Sequence, residues 1–350
     1  MAKPSAKSID WQSRIGRRVR LRDLHILFAV AQSGSMAKAA AHLRVTQPAV
    51  SKAIGDLEVA VGARLFDRSP HGVEPTMYGQ ALLKSGLAAF DELRQGIRNI
   101  EHLADPTAGE LRIGCQAIVA ATILPPVIEH LVHRYPSMDF HVTQLISPTF
   151  EFPELRHRTI DLMLALLPGP LAGNDLGGDL RVEIVFEDRL FVAAGMQSKW
   201  ARRRRIELDE LVGEQWLAPP TGSWASSFIA EAFGSKGLEI PRTRVATYSV
   251  PLLHSLCATG KFIGVLGGLT LRLNGERLGI KALPIDLPRW PWPLAIVMLK
   301  NRTLSSPVNL FIEHVRAFAA SMAEGNPPAP ARPPRQVDRQ DDRPQVRVRL

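Results

Sequence analysis

Three polar side chains share one face of a short predicted helix, and their chemical types suit contact with nucleic acid. Gln47 can pair bidentately with an adenine edge, and Ser51, one turn later, can reach a base or a phosphate. Lys52 carries the positive charge that a phosphate contact requires. These residues indicate DNA reading, provided that neighbouring elements hold their helix against a groove.

Two capped helices joined by a tight turn would hold that helix in place. Ser35 is expected to cap the first helix, Met36–Leu43, and Thr46 the second, with Pro48 in the first turn, where a missing N–H costs little. A buried face of the second helix is predicted by apolar residues spaced four, three and four apart: Val50, Ile54, Leu57 and Val61. A helix-turn-helix has this layout, although a helical hairpin in an ordinary bundle would show the same pattern.

The order of the residues favours the DNA-binding interpretation, because the stretch resembles the DNA-binding signature of LysR-type transcriptional regulators. The matching residues are Ser35, Ala39-Ala40, Leu43, Thr46-Gln47-Pro48-Ala49-Val50-Ser51, Leu57-Glu58, Gly62, Leu65-Phe66-Asp67-Arg68 and Thr76-x-x-Gly79. The resemblance implies that double-stranded promoter DNA is a partner. It also implies DNA contacts from Ser35, Thr46, Gln47, Pro48, Ser51, Lys52 and a wing arginine, Arg68.

A further helix and a short β-wing complete the predicted head, residues 21–78. The helix is expected over Leu21–Gln32, ended by Gly34, with one apolar face formed by Leu24, Leu27, Phe28 and Ala31. Leu65-Phe66 indicates a strand, and Pro70-His71-Gly72 indicates the turn that follows it. Residues 1–20 are a basic leader that is expected to be flexible. It would add salt-dependent phosphate contacts or remain a solvated segment.

A long helix is predicted after the head, capped by Thr76 and running to about Ala104; residues 79–105 form this linker. Its apolar stripe has heptad spacing and comprises Leu83, Leu87, Phe90, Leu93, Ile97 and Ile100. A helix of ~29 residues is ~43 Å long, and it cannot bury such a stripe alone. Pairing with a second copy is the simplest solution. The resemblance implies this dimer and its further assembly into a tetramer.

Residues 106–323 alternate strands and helices, which predicts an α/β body with parallel strands. Val182–Ala193 is expected to be one long strand that leaves the first lobe. The predicted lobe I covers about 109–187 and 288–322, and lobe II about 188–287. The body resembles the two Rossmann-like lobes of periplasmic binding proteins and of the effector domain of LysR-type regulators. Residues 324–350, rich in Pro and Arg, are expected to be disordered.

The candidate effector-binding residues follow predicted strands, where open α/β sheets bind ligands. In lobe I they are Gln116 and Ala117 after the first strand, and Ser147 and Thr149 after the second. In lobe II they are Thr221, Gly222 and Ser223, just before a helix. Hydroxyls and free amides at such positions suit a small anionic metabolite, although simple helix capping would explain the same residues.

Charge and motif content restrict the possible functions. Residues 1–78 hold twelve Lys/Arg against six Asp/Glu and supply most of the net charge of +9, which suits a DNA-binding head on a near-neutral body. Cys115 and Cys257 are expected to be small buried residues in a reducing cytoplasm. The sequence shows no transmembrane run, metal-ligand spacing, cofactor motif or nucleophile motif, so no membrane, metal or cofactor is expected.

These expectations combine into a cytoplasmic, sequence-specific transcriptional regulator that is not an enzyme. A small molecule bound between the lobes would switch its promoter binding and DNA bending, and by resemblance RNA polymerase would be a further partner. Two alternatives remain open. One is an enzyme with an added DNA-binding head, and the other is an architectural DNA-bending protein that ignores ligands.

Overall fold

The chain folds as two units, residues 1–97 and 98–350, and each has its own hydrophobic core. The computed structural model describes residues 18–69, 72–105, 108–145, 150–168, 176–287 and 291–323. Most of the predicted leader, the predicted tail 324–350 and the candidate residues Ser147 and Thr149 lie outside the described residues. Within those described ranges, no helix is both long and apolar enough to cross a membrane.

Three helices form the head as predicted: α1 (Leu21–Ser33), α2 (Met36–Leu43) and α3 (Gln47–Val61). The two predicted caps are present, because Ser35 Oγ accepts from Lys38 N and Thr46 Oγ1 accepts from Ala49 N. Between α2 and α3, Arg44 adopts the left-handed conformation, with φ 54°, and turns the chain sharply. The local sequence therefore specifies this helix-turn-helix almost completely.

The buried faces of these helices differ in part from the predicted ones. The prediction for Val61 is wrong: it is 44% exposed, because α3 ends in a left-handed turn at Gly62 beyond the head core. On α1, Phe28 and Ala31 are only partly buried. Fully enclosed residues of the head core include Leu27, Val30, Val50, Ile54, Leu57 and Leu65.

The wing is an antiparallel pair of strands, β1 (Phe66–Ser69) and β2 (Gly72–Pro75). Glu58 Oε1 accepts from Leu65 N at 2.9 Å, which ties α3 to the start of the wing. Thr76 then caps α4 (Met77–Ala104), with its Oγ1 accepting from Gly79 N at 3.1 Å. A Cβ at Gly79 would lie 2.1 Å from the Leu65 carbonyl oxygen, so only glycine fits at this crossing.

The first half of α4 packs against the head of the same chain. Leu83 and Phe90 are partly buried on the head core, and Phe90 meets Phe28 edge-on at 5.8 Å between ring centroids. Gly86 lets this packing happen, because its backbone approaches the Phe28 ring closely. Three residues of the predicted dimer stripe, Leu93, Ile97 and Ile100, are exposed in the single chain.

Lobe I contains a five-stranded mixed sheet in the order β4-β3-β5-β12-β6. Its elements are β3 (Gly109–Cys115), α5 (Ala117–Thr122), α6 (Leu124–Arg134), β4 (Met138–Gln144), α7 (Pro153–Arg156), β5 (Leu162–Leu166), β6 (Leu180–Phe186), β12 (Leu294–Leu299) and α11 (Ser306–Ala323). Strands β3, β4 and β5 are parallel as predicted, whereas β12 is antiparallel to both of its neighbours. The expectation of parallel strands is therefore correct for only part of the sheet, because β12 re-enters it from lobe II.

Lobe II contains a second five-stranded mixed sheet, in the order β11-β7-β10-β8-β9. Its elements are β7 (Leu190–Gly195), β8 (Trp216–Ala218), α8 (Trp224–Gly234), β9 (Thr243–Ala246), α9 (Val250–Ala258), β10 (Ile263–Gly267), α10 (Gly268–Leu278) and β11 (Ile280–Ala282). The α/β fold class is as predicted, but α10 and β11 were not predicted. Val182–Ala193 was also wrong as one strand, since it divides into the ends of β6 and β7, one in each lobe.

The chain crosses between the lobes at Asp188, where β6 gives way to β7. The second crossover lies beside the first, because Trp292 N donates to the Asp188 carbonyl at 2.7 Å. The buried Asp188 carboxylate accepts from Arg189 N and from Leu269 N at the start of α10. A Cβ at Gly268 would lie 2.6 Å from Asp188 Oδ1, so the Gly267-Gly268 pair makes room for this carboxylate. Asp188 therefore fixes the start of α10 at the junction of the lobes.

Candidate functional site

A polar surface of the head lies at the start of α3. Gln47, Pro48 and Lys52 are exposed and Ser51 is half-buried, while the opposite face of α3 lies in the head core. Thr46, also exposed, holds the first turn of the helix through its cap. The structure thus brings together five of the predicted DNA-contacting residues on one turn and a half of helix.

Two further predicted residues lie on neighbouring elements of the head. Ser35 is half-buried and caps α2, so its oxygen is already occupied by the Lys38 amide. Arg68 is exposed on β1, paired across the wing with Val73. Within the described part of the chain, neither Arg68 nor Lys52 forms an ion pair, which leaves both charges available to phosphate. Arg44, exposed in the turn before α3, is a basic residue that the sequence reasoning did not select.

Unit 98–350 contains a cavity of about 290 Å³ between its two lobes. Lobe I lines it with Gln116, Ala117, Ile118, Leu145 and Phe150. Lobe II and the crossovers contribute Leu190, Pro219, Gly222, Ser223, Trp224, Ala225, Thr247, Tyr248, Ser249, Val250, Leu253, His254, Val265, Leu266, Gly267 and Trp292. Of the predicted effector-binding residues, Gln116, Ala117, Gly222 and Ser223 lie at the cavity, whereas Thr221 is exposed and does not line it.

The side chain of Gln116 already has polar partners within lobe I. Its Oε1 accepts from Leu166 N at 2.9 Å, and its Nε2 donates to the Leu166 carbonyl at 3.3 Å. The amide therefore joins the ends of β3 and β5. It presents to the cavity a group whose main hydrogen bonds are already made.

The helix starts around the cavity are also capped by the protein itself. Ser223 Oγ accepts from Ser226 N at the start of α8, and Ser249 Oγ accepts from Leu252 N at the start of α9. Asp188 does the same for α10. The amides that would attract an anionic ligand are thus partly satisfied, although the serine hydroxyls keep a proton to donate.

Several cavity residues were not selected from the sequence. Thr247, Tyr248 and Ser249 follow β9, and His254 lies one turn further along α9. The rule that ligands bind beyond the carboxyl ends of strands would have found this loop, because it lies between the end of β9 and the start of α9. His254 carried no local signal, since a lone histidine on a helix is ordinary.

His254 is a buried polar residue without a full set of partners. Its side chain is 8% exposed, and its Nε2 is buried with no hydrogen-bond partner in the described structure. Burial, and to a lesser degree the charge of Arg277, lower the pKa of His254 below 6.5. The imidazole is therefore neutral near pH 7, with one ring nitrogen able to accept a hydrogen bond.

Neither thiol of the chain is poised for chemistry. Cys115 on β3 and Cys257 on α9 are both buried and free, as predicted. Burial raises the pKa of Cys115 to about 11 and that of Cys257 to about 12, so both are protonated at neutral pH. Among the described residues, no group of three or more His, Cys, Asp or Glu could hold a metal ion.

Two family descriptions match the chain: a bacterial regulatory helix-turn-helix protein of the lysR family over residues 21–80, and a LysR substrate binding domain over residues 104–320. The chain is 25% identical over 300 residues to the regulator GbpR of Azospirillum brasilense, covering 86% of each chain. It is 26% identical over 309 residues to the transcriptional dual regulator GltC of Bacillus subtilis, covering 87% of this chain and 99% of that one. A full-length OxyR variant from Pseudomonas aeruginosa shares the fold, with a TM-score of 0.55, 20% identity and coverage of 85% and 93%.

Proposed function

The chain belongs to the LysR family of transcriptional regulators, and from this premise we propose how its two units act on a promoter. The head would bind a specific duplex sequence through α3 and the wing. A small molecule in the inter-lobe cavity would favour one arrangement of the lobes and so alter that binding. A ligand shifts such an equilibrium only if it binds one arrangement more tightly than the other.

The observation that supports DNA reading most strongly is the first part of α3. Gln47 and Lys52 are exposed there, while Val50, Ile54 and Leu57 on the opposite face are buried in the head. Arg68 on the wing is also exposed and forms no ion pair among the described residues. A glutamine can distinguish an adenine, whereas lysine and arginine can bind the backbone of any sequence. The head thus has separate groups for specificity and for affinity.

The cavity supports the effector part of the proposal. Residues of both lobes line it, so a molecule inside it contacts both lobes and can favour one arrangement of them. The alternative, that the body turns its ligand over as an enzyme, requires a nucleophile, base or metal near the cavity. The two thiols are protonated and buried, and the described metal-ligating residues form no cluster. His254 is a base at the cavity, but in the described structure it forms no hydrogen bond to Ser223 or Ser249 that would activate a hydroxyl. We therefore propose binding without turnover.

Assembly and further partners follow from the same premise. The exposed stripe on α4 would pair with that of a second copy, and two such dimers would form a tetramer through their bodies. A two-fold pair of heads would bind an inverted repeat with half-sites about one helical turn apart. We also propose that the regulator is located in the cytoplasm and contacts RNA polymerase at the promoter.

The proposal can be tested with DNA selected by the full-length protein from a random duplex pool. We expect the bound sequences to share an inverted repeat, and a nuclease footprint on that repeat to change when a cognate small molecule is added from a metabolite panel. Incubation of that molecule with the protein should leave it chemically unchanged. Selected duplexes that share no sequence would contradict the proposal that the head binds a specific sequence. A footprint that no panel member alters would contradict the effector part, and product formation would favour the enzyme.

A further inference from the structure

The chemical character of the inter-lobe cavity restricts what it can bind. Its walls are mainly aliphatic and aromatic, and they include Ile118, Phe150, Trp224 and Trp292. Among the described residues that line it, none is Lys, Arg, Asp or Glu. A carboxylate or phosphate inside would lose its water without gaining a counter-charge, which disfavours an ionised ligand.

The size of the cavity suits one small, rigid molecule. A cavity of about 150 Å³ in an engineered protein core binds benzene, and the present cavity is about 290 Å³. A frame of two fused rings is therefore of the right order. Flat rings would also pack well against the indoles of Trp224 and Trp292, since offset and edge-on aromatic contacts are favourable.

His254 is a polar residue at the cavity whose side chain lacks a partner among the described residues. It lines the cavity and is 8% exposed, and its Nε2 is buried with no hydrogen-bond partner in the described part of the chain. Rotation of an imidazole about its Cβ–Cγ bond is broad, so a ligand can turn the ring toward itself. The hydroxyls of Ser223 and Ser249 are fixed by their capping bonds, whereas the imidazole is not.

We propose that the cavity takes an uncharged aromatic molecule of about two rings with one hydroxyl group, and that this hydroxyl donates to His254. The inference rests on the proposed function, because it names the ligand class of the same cavity. The lowered pKa of His254 supports it, since a neutral imidazole offers an acceptor whereas an imidazolium does not. This proposed ligand class differs from the anionic metabolite that the sequence led us to expect.

Calorimetric titration of the full-length protein with three probes on one ring frame tests the inference. The probes are 2-naphthol, 2-methoxynaphthalene, which lacks the donor, and 2-naphthoate, which carries a charge. We expect 2-naphthol to bind at least tenfold more tightly than either of the others. His254→Leu should remove the preference over 2-methoxynaphthalene and keep the binding of 2-methoxynaphthalene itself. His254→Asn, which restores an acceptor, should recover part of the preference.

His133→Leu is the matched control, because His133 is exposed on α6 and does not line the cavity. It should behave as the wild type. The inference is overturned if 2-naphthoate binds tightest, if none of the three binds, or if His254→Leu keeps the full preference. Footprinting separates this result from the proposed function. If 2-naphthol binds without altering any footprint, the proposed ligand class is supported and the proposed regulatory switch is contradicted. If another molecule alters the footprint while none of the probes binds, the switch is supported and the ligand class is contradicted.

Discussion

At the scale of single residues, the first turn and a half of α3 divides two tasks between neighbouring side chains. Gln47 is neutral and can form two directed hydrogen bonds, so its contribution to the free energy of DNA binding depends on the base that it contacts. Lys52 carries a single positive charge, and its contribution to the free energy of binding depends on nearby phosphate groups rather than on the base sequence. Both are exposed and both lie on the same helix, which makes them a matched pair.

Gln47→Ala should weaken binding at the selected site by about 1–3 kcal/mol and change binding to random duplex little, because only a base-specific contact is lost. Lys52→Ala should weaken binding to both duplexes and lower the salt slope by about one. Fluorescence anisotropy with the two duplexes at several salt concentrations measures both effects. Equal weakening of both duplexes by Gln47→Ala would show that Gln47 does not read a base.

Residue roles were predictable where their partners are close in sequence. The caps of Ser35 and Thr46 involve residues three positions away, and the structure contains both. Gln116 was selected correctly as a cavity residue, but its bonds go to Leu166 on another strand, which no local pattern indicates. His254 was missed for the same reason, since only the fold reveals that its ring nitrogen has no partner.

At the scale of elements, a buried ionic cluster joins three parts of lobe I. Asp161 precedes β5, and its carboxylate accepts from Arg112 on β3 and from Arg302 before α11, with both shortest contacts at 2.7 Å. Burial alone would raise the pKa of Asp161, but the hydrogen bonds and charges of Arg112 and Arg302 outweigh it and hold the pKa below 3.8. The carboxylate is thus more readily ionised in the folded chain than in the unfolded one.

Asp161→Asn should lower the free energy of unfolding at pH 7 by about 3–5 kcal/mol, because it removes the buried carboxylate that forms ion pairs with Arg112 and Arg302. In the wild type this contribution is complete above the unfolded-state pKa of Asp161. It is lost as the pH falls through the lower folded-state pKa. Urea midpoints should therefore fall more steeply below about pH 4 in the wild type than in Asp161→Asn. The control is Asp139→Asn at an exposed position, which should behave as the wild type. If the urea midpoints of Asp161→Asn and of the wild type fall in parallel below about pH 4, the ion pairs of Asp161 do not cause the pH dependence.

Elements were predictable where periodicity and capping are local, and less so elsewhere. The head helices α1 and α2 lie where the sequence predicts them, apart from one extra residue at the end of α1. Helix α10 was missed because it begins with glycine and its cap, Asp188, lies 81 residues away from Leu269. The β6–β7 break was missed because the sequence continues its strand-like pattern through the crossover. The sheet pairings show that the chain changes lobe there, because β6 pairs with β12 whereas β7 pairs with β10 and β11.

At the scale of the whole molecule, α4 carries more exposed large apolar side chains than any other described helix or strand. Leu93, Ile97 and Ile100 are 49%, 59% and 68% exposed, although three apolar residues at heptad spacing would be costly to leave in water. Leu83 and Phe90, also on the predicted stripe, already pack on the head. The proposed dimer contact therefore falls on the second half of the helix. The first half positions the head.

Ile97→Gln with Ile100→Gln should raise the dissociation constant of the dimer by roughly 10,000-fold or more, because each buried aliphatic side chain contributes about 1.5–3 kcal/mol and a dimer loses four of them. Glutamine forms helices about as well as isoleucine and carries no charge. A weaker dimer can therefore not be explained by a less stable helix or by a changed net charge. Sedimentation velocity measures the dimer, and anisotropy on the inverted repeat should show affinity falling toward that of a single head. The matched control is Glu92→Gln with Arg94→Gln, which introduces the same residue at two exposed polar positions of α4 without changing the net charge. If the control weakens the dimer as much as the stripe variant does, or if the stripe variant stays dimeric, the second half of α4 is not the dimer contact.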